Sequence, residues 1–155
     1  MIQRIQTVYM FLGVLVTAAI FLVPIASFGT ADGEMFQYKL MNFDSVFDLG
    51  LKQQQLITPV ITNWLTGLLL LVNIFLYKNR KLQKRILMII VVINLATLGS
   101  SFYVADQIER LSTIASQATY QIGIYLPLVN MVLLVLANNA IRKDDKLVKS
   151  ADRLR

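Results

Sequence analysis

Ionisable and nucleophilic side chains decide what chemistry a chain can do, and this chain offers few. It has no histidine and no cysteine. That removes the usual general base, the usual proton shuttle, the commonest metal ligand, and all thiol and disulfide chemistry. Carboxylates remain. Asp44 with Asp48, and Asp106 with Glu109, stand at helical spacing, and Asp144 and Asp145 sit beside cations. A solvated face accounts for the first two pairs, and charge balance for the third. There is no phosphate-binding Gly-rich loop, no Ser/His/Asp set and no metal-ligand cluster. The expectation is a protein without a cofactor and without enzymatic activity.

The more informative polar residues are neutral and lie inside apolar runs. Thr62, Thr66 and Asn73 share one helical face. Asn94, Thr97, Ser101 and Ala105 share another, and Gly123, Pro127, Asn130 and Ala137 a third, with Asn138 adjacent. Gly13, Thr17, Pro24 and Ser27 lie roughly on one face of the first run. Helices in lipid associate through such stripes, because small residues let backbones approach and amides hydrogen-bond across. Asn73, Asn94, Asn130 and Asn138 are therefore expected in the interior of a helix bundle. A polar cavity or a quinone-sized ligand site is the alternative use of the same residues. No ionisable residue lies within the runs, which argues against a monomeric ion pump or proton-coupled transporter.

Composition supplies the bundle. Of 155 residues, 56% are hydrophobic and 15% charged, against about 25% charged in a soluble domain. Four apolar runs, at about 7–28, 58–77, 86–105 and 122–141, are each long enough to cross a hydrocarbon core of ~30 Å at ~1.5 Å per residue. The first exceeds the ~7–15 residues of a signal-peptide core, so it is expected to remain as a span, although Gly29-Thr30-Ala31 offers a small-residue cleavage site. The fold expected is an all-α integral membrane protein, one domain over 1–155, with four antiparallel spans. The loop 29–57 alternates Phe36, Tyr38 and Leu40 with polar residues, which predicts a short strand in a small external cap. A hairpin lying on the lipid headgroups is the alternative. The other external loop is 106–121. Pro59 suits the first turn of the second span, and Pro127 is a candidate kink in the fourth.

Charge sets the orientation. The loop 78–85 carries Lys78, Arg80, Lys81, Lys84 and Arg85 and no acid. With Arg4 and the six cations of the tail 142–155, it holds twelve of the fifteen Lys and Arg. Six of the nine acids lie in the two other loops. By the positive-inside rule both termini face the cytoplasm. The net charge of +6 therefore follows topology, and nucleic acid is not an expected partner. The expected surroundings are a bilayer with an anionic inner leaflet, together with another membrane protein or a second copy of the chain. The tail either lies along that leaflet or extends the fourth helix into water.

The two ends of the chain carry a resemblance. Met1-Ile2-Gln3-Arg4-Ile5-Gln6-Thr7-Val8-Tyr9 opens the chain, and Tyr125-Leu126-Pro127-Leu128, Leu136-Ala137-Asn138-Asn139-Ala140-Ile141-Arg142-Lys143-Asp144 and Leu147 to Arg155 close it. These resemble the ends of a family of small four-span inner-membrane proteins from Bacteroidota, catalogued as a domain of unknown function. The resemblance implies location and topology, and it brings no activity. The function expected is that of an accessory or assembly subunit of a membrane complex. A small oligomeric transporter or channel is the first alternative, and a lipid- or quinone-binding membrane enzyme the second.

Overall fold

The computed structural model describes residues 3–29, 35–41, 53–111 and 118–153. Four long helices, α1 (Gln3–Leu22), α2 (Gln53–Phe75), α3 (Arg80–Leu111) and α4 (Leu126–Arg153), account for most of the chain. Each is long and apolar enough to cross a membrane. Large apolar side chains line their outward faces: Trp64 is 65%, Val92 66% and Phe75 77% exposed. A water-soluble helix would turn such residues inward, so these faces are the lipid-facing ones.

The helices run antiparallel. Gly13 meets Leu70 and Asn130, whereas Thr17, one turn on, meets Gly67. On the other side Asn94 reaches Pro127, and Lys84, earlier in α3, reaches Asp145, later in α4. The stripe that each helix turns inward repeats every three or four residues. It reads Gln6, Met10, Gly13, Thr17, Ile20 on α1 and Asn63, Thr66, Leu70, Asn73 on α2. On α3 it reads Gln83, Leu87, Ile90, Asn94, Thr97, Ser101, and on α4 Asn130, Leu134, Ala137, Ile141, Asp144. That spacing is the seam of helices packed at shallow angles.

The first span ends earlier than its hydropathy implies. Helix α1 stops at Leu22, and residues 26–28, apolar enough to read as the end of the span, form a strand together with Gly29. Pro24 is the cause, because it has no N–H and disfavours the helical conformation at the residue before it. Strand β1 (Ala26–Gly29) is the centre of a three-stranded antiparallel sheet, between β2 (Met35–Tyr38) and β3 (Thr119–Tyr120). Ala26 stands opposite Tyr38 on one side and Tyr120 on the other. Gln121 N donates to Ile25 O at 2.9 Å and Gly123 N to Pro24 O at 3.0 Å, which extends the pairing past β3. The alternation around Phe36 and Tyr38 thus does form a strand. Most of the remaining 29–57 loop, including Asp44 and Asp48, lies outside the described residues.

Helix α3 has 32 residues, about 48 Å at ~1.5 Å each. It outruns the ~30 Å hydrocarbon core, and its far end supplies Val104, Ala105 and Ile108 to a core shared with Phe28, Tyr38, Leu40 and Ile124. Where such a core borders water, burial of each large side chain contributes about 1.5–3 kcal/mol. The second apolar cluster (Met10, Leu70, Leu87, Ile90, Leu134, Ala137 and Ile141) lies among the spans. There the alternative is also apolar, and packing contacts replace the hydrophobic effect as the source of stability.

Three further boundaries depart from the expected spans. Residues 78–85 are not a loop: a 3-10 turn (Leu76–Lys78) and Asn79 separate the helices, and Arg80 to Arg85 form the first turns of α3. Asn79 Oδ1 accepts the Leu82 amide at 3.2 Å, a helix cap worth about 1 kcal/mol. Pro59 falls inside α2 rather than in its first turn. Pro127 is the second residue of α4, where the missing N–H costs nothing, so it starts the helix rather than kinking it. The tail continues α4 as helix to Arg153.

Candidate functional site

The centre of the bundle is an amide network. Asn130 Nδ2 donates to Asn94 Oδ1 at 3.3 Å, and Asn94 Nδ2 donates to the Pro127 carbonyl at 2.8 Å. Both side chains are buried. Gly13 of α1 faces this pair: a methyl group placed on it would come within 2.9 Å of Asn130 Oδ1. The absence of a side chain there lets α1 close on α4. Thr97 and Ser101 continue the stripe, each hydroxyl bonding to a carbonyl of its own helix, at 3.1 and 2.7 Å. Such local bonds satisfy the hydroxyls without a partner helix.

Toward the end where α1 begins and α4 finishes, Asn73 is fully buried. Its Nδ2 contacts Met10 Sδ at 3.8 Å, and Gln83 Nε2 donates to the Asn73 carbonyl at 3.2 Å. Asn138 behaves differently. It is half-buried, and Ala137 and Ile141 occupy the inward stripe beside it. One residue off the stripe is a rotation of ~100° on a helix of 3.6 residues per turn, so Asn138 is displaced from the interior.

The cations predicted to set topology divide into two groups. Arg80 Nη1 donates to the Asp144 carbonyl at 3.2 Å, and Lys84 Nζ pairs with Asp145 Oδ2 at 2.8 Å. These two fasten the start of α3 to the end of α4. Lys81 and Arg85 are exposed, as are Arg142, Lys143 and Lys146 of α4. The Lys78 side chain lies outside the described residues. Asp106 and Arg110 pair at 2.9 Å within α3, and Glu109 Oε2 accepts the Ala118 amide at 3.4 Å, so each of the two carboxylates has its own partner.

Among the described residues, four buried polar ones escaped the sequence reading: Gln6, Asn63, Gln83 and Asp144. Their signal was available, since each continues the three-four spacing of its stripe. Asn63 Nδ2 donates to the Thr17 carbonyl at 3.0 Å, tying α2 to α1. Its Oδ1 has no donor, and neither do Asn73 Oδ1, Gln83 Oε1, Asn130 Oδ1 and Asp144 Oδ1. Asn63 also borders a groove of about 500 Å³ between α1 and α2. The groove opens sideways, past the exposed Leu22, Trp64 and Leu68. In the cap, burial pushes the Tyr38 phenol well above its ordinary value of 10.0, and its hydroxyl has no partner.

The long apolar helices, the lipid-facing rows of large side chains and the inward amides define an all-α, four-span integral membrane protein with a small β cap. Within that class the chain belongs to the family described as a domain of unknown function (DUF4293), whose model matches residues 2–154. No curated protein and no solved structure matches it.

Proposed function

We propose that the protein is a non-enzymatic accessory or assembly subunit of a larger complex in a bacterial inner membrane. The observation that carries the reading is where space is found. The bundle centre is occupied by the Asn94–Asn130–Pro127 bonds and the apolar cluster around Leu70 and Leu134. The large groove lies outside that centre and opens toward the membrane. A solute pathway calls for space along the axis, whereas a subunit that works by lateral contact calls for shape on its flank. Purification of the full chain in mild detergent, followed by mass spectrometry, tests this. A stoichiometric membrane partner is expected. A homo-oligomer enclosing a continuous polar lumen would overturn the reading in favour of a channel.

The termini are cytoplasmic in this proposal. Support comes from the exposed cations Lys81, Arg85, Arg142, Lys143 and Lys146, which gather where α3 begins and α4 ends, suited to an anionic inner leaflet. A reporter active only in the cytoplasm should work when fused after Arg155 and fail when inserted near Asp32. The reverse pattern defeats the orientation.

A further inference from the structure

We infer that the outward cleft between the start of α3 and the end of α4 is a headgroup site for a phospholipid with two phosphates, of the diphosphatidylglycerol type. This goes beyond the subunit reading, and it holds whichever side of the membrane that end of the bundle faces.

The Lys84–Asp145 pair marks where the two helices meet. Both residues are half-buried. Lys81 and Arg142 each stand three residues earlier on their helices, ~60° round from the pair at 3.6 residues per turn. Both are exposed, so that rotation carries them to the lipid side of the same cleft. Lys146, four residues after Arg142, is exposed on the same side of α4. Heights agree as well. At ~1.5 Å per residue, Lys146 and Lys81 lie ~1.5 and ~4.5 Å beyond the pair toward the bundle end, and Arg142 ~4.5 Å short of it. A long Arg stem snorkels over such a distance, so the three charges reach one headgroup layer.

These charges are open to a ligand. Among the described residues, no carboxylate pairs with Lys81, Arg142 or Lys146. Asp145 is taken by Lys84, and Asp144 is buried, with its backbone carbonyl on Arg80. Their spread selects two phosphates over one. The cations stand on two packed helices, whose axes lie ~8–10 Å apart, and a single phosphate is compact. The six bonds that join the phosphorus atoms of diphosphatidylglycerol span ~7 Å, at ~1.2 Å of advance per bond. One phosphate then meets Lys81, and the other Arg142 and Lys146. Basic pockets between transmembrane helices are the general form of such sites.

The surface below the charges suits the rest of the lipid. Asn139 and Asn138 lie three and four residues deeper than Arg142, ~4.5–6 Å. Asn139 is exposed and Asn138 half-buried, and neither side chain bonds to a described residue. An amide facing hydrocarbon leaves its N–H groups unsatisfied, which is costly. The ester carbonyls of a phospholipid lie just below its phosphates and accept such donors. Met88 and Val135, 53% and 51% exposed, offer apolar surface on the same two helices to the acyl chains.

Native mass spectrometry of the full chain tests the site. Tetraoleoyl diphosphatidylglycerol is compared with twice its concentration of dioleoyl phosphatidylglycerol, which matches phosphates and acyl chains. The two-phosphate lipid should be retained at least about fivefold better, the effect of one further cation contact. Lys81→Gln and Arg142→Gln should each lower that retention about fivefold. Lys143→Gln removes the same charge ~160° round α4 from Asp145, and should change retention by less than about twofold. All three positions are exposed, so the substitutions leave the bundle intact. Equal retention of the two lipids overturns the proposal, as does a Lys81→Gln variant without effect. A Lys143→Gln loss as large as that of Arg142→Gln also overturns it, because the attraction would then belong to the basic end as a whole.

Discussion

Asn130 donates to Asn94 across the α3–α4 interface at 3.3 Å, and Asn94 passes its own proton donor to the Pro127 carbonyl at 2.8 Å. The three residues form a relay that begins and ends on α4 and uses α3 as its middle. Pro127 matters to it twice. As the second residue of α4 it starts the helix, and its carbonyl stands near the sheet end of the span, where Asn94 can reach it. The pair therefore fixes the lengthwise register of the two helices as well as their contact.

The relay predicts unequal effects of removing its members. Asn94→Leu takes away two hydrogen bonds, and Asn130→Leu one. Such bonds between membrane helices average about 0.6 kcal/mol and reach ~1–2 at most. Asn94→Leu should therefore destabilise by about 1–2 kcal/mol and Asn130→Leu by about half of that. Reversible unfolding in mixed bicelles measures both. An Asn130 loss exceeding the Asn94 loss would contradict the relay.

Glycine tolerance should follow the space at each site. Gly99 faces open space, and Gly99→Ala should be neutral or stabilising by up to ~1 kcal/mol, the difference in helix propensity. A methyl at Gly13 meets Asn130 Oδ1 at 2.9 Å and Leu70 at 3.2 Å, so Gly13→Ala should destabilise by about 1–3 kcal/mol through overpacking. Gly123→Ala should be worse, because its methyl would lie 2.5 Å from the Pro24 carbonyl, a backbone atom held in the sheet pairing. The same unfolding assay should rank the three in that order.

The spans were legible in the sequence for a physical reason: a helix in lipid must be apolar on its outer face, and Trp64, Val92 and Phe75 advertise that directly. Asn73, Asn94 and Asn130 were legible too, because an amide in such a run has nowhere to go but inward. Helix ends were less so. The unwinding at Pro24 leads into a strand whose partners, residues 35–38 and 119–120, are distant in the chain, and hydropathy carries no record of such pairing. Gln83 and Asp144 were missed because they sit in stretches that read as basic loop and charged tail. Once α3 and α4 extend through those stretches, both fall on the inward stripe. Asn138 failed for the opposite reason, being inside a span but one position off that stripe.

Tyr38 should make the cap sensitive to high pH. Burial disfavours the phenolate and raises the folded-state value above the ordinary 10.0, so the folded form keeps its proton where the unfolded form loses it. The sign follows. Stability is unaffected below about pH 10, the unfolded value, and declines as pH rises above that toward the folded value. Tyr38→Phe should abolish the Tyr38 part of the decline. It should also be neutral or slightly stabilising at neutral pH, since the hydroxyl it removes has no partner. Tyrosinate absorbance and thermal unfolding against pH, in the two proteins side by side, give the comparison.

The Lys84–Asp145 pair, 2.8 Å apart with side chains 29% and 30% exposed, should couple the ends of α3 and α4 weakly but measurably. Partly exposed pairs contribute about 0.2–1 kcal/mol, and salt screens them over a Debye length of ~8–10 Å. A double-mutant cycle with Lys84→Gln and Asp145→Asn should therefore give a coupling in that range which shrinks at high ionic strength. Arg80 provides the contrast. Its partner is the backbone carbonyl of Asp144, so Arg80→Gln loses a bond that the Asp145 substitution leaves in place. The effects of Arg80→Gln and Asp145→Asn should come closer to adding than those of Lys84→Gln and Asp145→Asn, because the Arg80 bond is to a backbone carbonyl that the substitution at 145 does not remove. Additivity in the Lys84 cycle at low salt would show that the ion pair holds neither helix.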